Sequence, residues 1–316
     1  MTTKTQPDFD VLRAPPALRR EALEMVLQDV PDGRRSEYID RLLASAQARE
    51  LDLDGLLVAR QGEALVGAIW GYLQPGRVAS LWPPVVMDSD GDTASDALLS
   101  HLATWLANGG TEIAQSLLPV DGARQTAQMV RQGFTHMADL LYMVCLATYF
   151  PHSEPESPLA FEAASAAADA RLAGVVERTY ERTLDCPQLN GVRDVRDVLA
   201  GYRACGTYDP CRWFIARHGE QDVGCLLLTD EPADDQWEIV YAGLVPAARG
   251  HGYGLSMARH AQWLARCAGR ARLVLAVDAA NVPAVKMYER AGFVVWDRRR
   301  ALIRIFPRGG AASLAS

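Results

Sequence analysis

The chain has no apolar run near the roughly 20 residues that a membrane-spanning helix needs. LLYMVCLATYF, among its longest, is about half that. The start, MTTKTQPDFDVLRAPP, lacks the basic head and apolar core of a signal peptide, so a cytoplasmic protein is expected. The six cysteines (Cys145, Cys186, Cys205, Cys211, Cys225 and Cys267) contain no CxxC and no metal-ligand spacing. They read as reduced thiols, and no metal site is expected. There is no excess of positive charge either. The net charge is −7, and residues 1–150 hold 12 basic against 19 acidic side chains. That argues against a nucleic-acid platform, which needs a positive face, and leaves a local basic patch at Arg298, Arg299 and Arg300 as the alternative. Two phosphate-binding signatures are also missing: no Gly-Lys-Ser/Thr closes a P-loop, and no G-x-G-x-x-G follows a strand.

What is present is the composition of a folded protein, 49% hydrophobic and 22% charged over 316 residues, a length that suggests two domains. Residues 1–10 are polar and expected to be loose. Helical spacing runs over 15–30 and 36–49, a hairpin turns at Gly62, and RVASLWPPVV is a third strand interrupted by Pro83 and Pro84. A helix over 93–107, a strand EIAQSLLPV, a helix over 123–132 and a last strand through Tyr142 follow. The proline-rich segment 151–158 reads as a linker. The same order then begins again, with helices over 166–182 and 192–204 and the strands CRWFIARHG and DVGCLLLTD. ARQGEALVGA at Ala59 matches ARHGEQDVGC at Ala216, an offset of 157, and Gly133-Phe134 matches Gly292-Phe293 at 159. A register held over so many elements marks a duplicated domain. The expected units are 1–150 and 159–316.

The second copy carries the chemistry. The strand WEIVYAGLV runs into Pro246 and the loop Arg249-Gly250-His251-Gly252-Tyr253-Gly254, and then into a helix. A glycine loop that opens a helix aims backbone N–H groups and the positive end of the helix dipole at one point, a natural seat for pyrophosphate. A packed turn is the structural alternative.

The order R-x-x-G-x-G after a strand ending in Val-Pro resembles the acetyl-CoA loop of the GCN5-related N-acetyltransferase (GNAT) superfamily. Downstream, Asn281, Ala284, Tyr288, Gly292 and Phe293 stand at the spacing of that family's later motif. By motif the resemblance covers about 160–306, and it reaches 15–150 through the internal repeat. It implies an α/β (α+β) protein of two tandem GNAT-like domains, each a mixed, mostly antiparallel central sheet flanked by helices. It also implies acetyl-CoA as co-substrate, with no metal. Leu244 and Val245 would pair with the pantetheine arm, and an N–H of one of them would meet the oxyanion. Arg249, Gly250, His251, Gly252, Tyr253 and Gly254 would hold the pyrophosphate, and Asn281 the pantetheine side. Tyr288 would protonate the departing thiolate. Glu238 resembles the glutamate of the histone-acetyltransferase branch, and its apolar strand neighbours should raise its pKa toward general-base duty. Asp185, Arg193, Asp194 and Tyr241 are the candidates for meeting the acceptor.

The first copy departs from the pattern. At the 159 offset, Arg249, Gly252 and Gly254 become Asp90, Thr93 and Ser95, while Asn281 and Tyr288 become Gly122 and Met129. Asp88, Asp90 and Asp92 would repel a pyrophosphate, so one site per chain is expected. The implied reaction is direct acetyl transfer to a primary amine of a small metabolite or amino sugar, in a ternary complex. A catalytically silent CoA-binding protein and an enzyme acting on a peptide amine are the alternatives. No nucleic-acid or membrane partner is expected, and two such domains in one chain make a monomer sufficient.

Overall fold

A computed structural model describes residues 9–87, 91–165 and 169–307. The chain forms two compact units, Met1–His136 with Ala301–Ser316, and Met137–Arg300. The boundary expected at 151–158 therefore moves to 136/137, and the end of the chain returns to the first unit. The cause is β6 (Thr135–Leu146), which closes the first repeat in sequence. From Leu140 to Leu146 it pairs antiparallel with β11 (Arg272–Asp278) of the second repeat. Phe150 and Leu159 flank the proline-rich segment and are both buried in the second unit's core. That segment is a surface loop, not a linker.

The first unit holds β1 (Asp10–Arg13), α1 (Arg19–Val26), α2 (Asp32–Gln47), β2 (Leu56–Gln61), β3 (Ala64–Gln74), β4 (Val78–Val86), α3 (Gly91–Asn108), β5 (Ile113–Pro119) and α4 (Ala123–Arg131). Its strands lie in the order β1-β2-β3-β4-β5, followed by the Ala301–Ile305 end of β12 (Val294–Ile305). The second unit holds β7 (Ala160–Ala163), α5 (Asp169–Tyr180), α6 (Val195–Arg203), β8 (Trp213–His218), β9 (Gln221–Glu231), β10 (Gln236–Leu244), α7 (Tyr253–Cys267), β11 and α8 (Val282–Arg290). Its order is β7-β8-β9-β10-β11-β6-β12. Both sheets are mostly antiparallel, with β4/β5 and β10/β11 as parallel neighbours.

The repeat is carried element by element. β2 and β3 precede β8 and β9 by 157 residues, and β5, α4 and β6 precede β11, α8 and β12 by 159. The shared Gly-Phe has a clear physical role. Gly292 takes a φ of 88° to end α8, and the N–H of Phe293 reaches back to the carbonyl of Tyr288 at 3.0 Å. This six-to-one closure of a helix favours glycine, because the left-handed region crowds a Cβ. The Phe293 ring then enters the core against Tyr288, with centroids 5.5 Å apart. Gly133 (φ 82°) and Phe134 end α4 in the same way.

In the second unit α7 and α8 cover one face of the sheet, while α5 and α6 cover the β8–β10 part of the other. Buried Gln262 of α7 joins the first pair by donating to the carbonyl of Ala291 at 2.6 Å. Two four-residue edge strands, β1 and β7, were not anticipated, being too short to show an alternating pattern.

Candidate active site

The parallel strands β10 and β11 pair only at Gln236–Ile239 with Arg272–Leu275. Beyond Ile239 the β9/β10 register shifts at Val240, although β10 stays paired with β9 through Leu244. An extra residue of this kind bends a strand and adds twist, so β10 and β11 part. A cavity of about 730 Å³ fills the opening. The N–H of Val245 donates to the carbonyl of Val223 at 2.9 Å, which removes it from the two oxyanion donors considered. Peptide groups alternate sides along a strand, so the N–H groups of Leu244 and Ala242 face the opening.

The glycine loop stands at the mouth of this cavity. Gly250 and Gly252 have φ of 83° and 80°, and Gly252 caps α7. Among the described residues, the N–H groups of Gly250, His251, Gly252, Tyr253 and Gly254 find no backbone acceptor. Together with the helix dipole they form an anion seat. The Arg249 side chain is not part of that seat. Its guanidinium donates to the carbonyls of Leu244 (3.1 Å), Arg182 (2.8 Å) and Thr179 (2.9 Å), tying the loop to the end of α5. His251 also turns away: its Nδ1 lies 3.0 Å from the carbonyl of Arg249, and the ring does not line the cavity. Tyr253 and Gly254 do line it.

Asn281 has two faces. Its Oδ1 caps α8 by accepting from the N–H of Ala284 at 3.4 Å, and the residue also lines the cavity, leaving its amide N–H groups for a guest. One helical stretch on, Tyr288 lines the same cavity and is only 7% exposed. Burial, reinforced by the charge of Asp185, raises its hydroxyl pKa above the usual phenol range. The phenol therefore keeps its proton at any physiological pH.

Of the acceptor candidates, Asp185 and Tyr241 reach the cavity and Arg193 and Asp194 do not. Asp194 caps α6 through the N–H of Arg196 (2.8 Å), and an Arg193 Nη donates to the carbonyl of Asp197 (3.0 Å). Burial raises the pKa of Asp185, and the charge of Asp278 adds to the effect, although Asp185 accepts the N–H of Asp278 at 3.1 Å. The Tyr241 hydroxyl lies 2.7 Å from Oγ1 of Thr179, and its ring stacks on Tyr202. Gly243 leaves the space for that contact, since a Cβ there would fall 2.7 Å from the Tyr241 hydroxyl.

Glu238 stands apart from these residues. It does not line the cavity, although Ile239 and Val240 beside it do. Its pKa is pushed up to about 7, first by burial and then by Glu231, with which it shares a hydrogen bond. Asp278 and Thr179 are the residues that sequence reasoning missed. Asp278 at the end of an apolar strand was the available signal; Thr179 gave none.

The first unit repeats the strand divergence, with β4 and β5 paired only over Val78–Ser80 and Ile113–Gln115. Pro83, the counterpart of Ala242, has no N–H to offer there. The Ser116 hydroxyl takes up the carbonyl of Leu81 at 2.8 Å. In the first turn of α3, Asp92 accepts from Nε2 of Gln128 at 2.9 Å. Buried Met129 replaces the tyrosine. Asp88 and Asp90 lie outside the described residues.

These features define the class. Residues 177–293, all within the second unit, match the model of the Acetyltransferase (GNAT) family. The relatives agree. The chain is 33% identical over 90 residues to a mycothiol acetyltransferase of Streptomyces scabiei, a match covering 28% of this chain and 29% of that protein. The match thus spans under a third of the relative's length. A GCN5-related N-acetyltransferase from Sphaerobacter thermophilus superposes with a TM-score of 0.65 at 18% identity, covering 95% of this chain and 97% of that one. A tandem GNAT protein from the clavulanic acid biosynthesis pathway gives 0.54 at 12% identity, covering 95% and 99%. At such identities the structures speak for the fold, which is that of two tandem GNAT-like domains.

Proposed function

We propose that the chain transfers an acetyl group from acetyl-CoA to the primary amine of a small molecule, at one site in the second unit. The observation that carries this reading is the junction of three features on one cavity: the open edge of β10, the unpaired N–H groups at the head of α7, and the phenol of Tyr288. The loop N–H groups bind the pyrophosphate, and Arg249 holds the loop in shape. Ala242 and Leu244 offer N–H groups to the pantetheine arm and the acetyl oxygen, and Asn281 offers its amide. Tyr288 delivers its proton to the sulfur as the amide bond forms. Glu238 accepts the amine's proton from the neighbouring face, through a water, at a pKa matched to neutral pH.

The small-molecule acceptor is supported by the partial relationship to mycothiol acetyltransferases. A single site is supported by Pro83, Asp92 and Met129 in the first unit. Release of free thiol from acetyl-CoA, measured over an amine panel, tests the proposal. Amine-dependent release is expected. Tight acetyl-CoA binding with no turnover on any amine would favour a binding protein that has lost its chemistry.

A further inference from the structure

One face of the second unit's sheet carries a row of side chains outside the cavity. Glu238 of β10 stands level with Val274 of β11, and Val274 with Val144 of β6. Tyr142, two residues along β6, points to the same face. Ala276, level with Tyr142, lines the cavity, so the face and the cavity are continuous. On the next strand, Trp296 meets the Tyr142 ring edge-on, with centroids 6.0 Å apart at 67°. Its indole is 61% exposed, an unusual state for so large an apolar ring.

The charges around this row are uneven. Arg299 pairs with Asp297 at 2.8 Å, and Arg298 and Arg300 pair with Asp139 at 2.9 and 3.3 Å. Glu238 instead has another acid, Glu231, beside it, and among the described residues no base answers it. Two adjoining carboxylates without a cation favour a guest ammonium. At the far end, the negative π-face of an indole suits the C–H faces of a sugar ring. The charged pairs around it suit hydroxyl groups. Neighbouring strands lie about 4.8 Å apart, so three strand steps from β10 to β12 span roughly 14 Å. That is room for an amine at one end and a ring or two at the other. The Tyr142 hydroxyl, its pKa pushed up to about 12 by burial and then by Glu238, keeps its proton to donate between them.

We propose that Trp296 and Tyr142 form the acceptor subsite and select an amino sugar, whose ring lies on the Trp296 indole while its amine enters the cavity at Ala276, within a water's reach of Glu238. The proposal rests on the acetyltransferase reading above and names its substrate class.

The test uses three probes on the full chain: glucosamine, its β-1,4-linked dimer, and n-hexylamine as an amine without a ring. Tryptophan fluorescence reads binding, and thiol release reads turnover. The dimer should quench the wild-type emission, and Trp296→Phe should lose most of that change. Trp296→Ala should raise KM for the dimer about tenfold more than for n-hexylamine, as stacked aromatic contacts of about 1–1.5 kcal/mol imply. No quench by either sugar, or equal losses on dimer and n-hexylamine, would overturn the subsite. Thiol release with n-hexylamine in that case would leave the acetyltransferase reading standing. Trp296-dependent sugar binding with no thiol released by any amine would do the reverse.

Discussion

The N–H of Asp278 donates to Oδ1 of Asp185 at 3.1 Å, and Asp278 in turn accepts the N–H of Cys186 at 3.3 Å. This reciprocal clasp joins the loop after α5 to the end of β11, beside the cavity that holds Tyr288. Asp278 also accepts the N–H of Ala280 at 2.8 Å, which sets the turn before Asn281. Asp278→Ala removes both of its accepted bonds from a buried position. Its cost should be about 1–3 kcal/mol in urea unfolding, together with a higher KM for the amine. Unchanged stability would detach the clasp from the site.

In the proposed reaction Tyr288→Phe deletes the proton donor, and it keeps the ring against Phe293. Turnover should fall about 100-fold or more, while acetyl-CoA affinity changes less than about twofold. Both quantities come from one pair of experiments, steady-state rates and calorimetric titration. Wild-type turnover in this variant would remove Tyr288 from the chemistry.

With Glu238 as the proposed base, the pH profile should report its ionisation. A base must be ionised, and its pKa is raised to about 7, so kcat/KM should climb with pH and level off above about 7. Glu231→Gln removes the neighbouring acid, so the same limb should move to lower pH. Glu238→Gln should flatten it and lower the plateau. A limb that ignores both substitutions belongs to another group.

His260 supplies a stability test away from the chemistry. Its ring is stacked on Phe161 at 3.8 Å and lies edge-on to Phe214, and burial lowers its pKa to about 4. The folded pKa lies below the ordinary histidine value of about 6.5, so on acidification the unfolded chain binds the proton first. The contribution of His260 is whole above pH 6.5 and is lost as pH falls toward 4. Thermal melts of wild type and His260→Phe should therefore diverge over that window, with the variant falling less. Parallel curves would contradict it.

Much of this was legible from spacing alone. The repeat offsets, the glycine loop and the Asn281–Tyr288 interval reflect local geometry: caps, turns and one helix face. The Arg249 side chain was not legible, because its three carbonyl partners come from residues as far as 70 positions away in the chain. Nor was the occupied N–H of Val245, since a strand's sequence does not say which edge is paired. The unit boundary was misplaced for a related reason. Neither the apolar run of β6 nor the charged middle of β12 records which unit receives the strand.

The central claim is a single acetyl-CoA site built on the α7 loop. Gly252 is its most exacting residue, since any side chain at a φ of 80° is strained and its N–H belongs to the anion seat. Calorimetric titration with acetyl-CoA measures the claim directly. One equivalent per chain is expected in the wild type, with binding lost or weakened at least tenfold in Gly252→Val while the fold survives by circular dichroism. Two equivalents, or full affinity in a folded Gly252→Val, would contradict it.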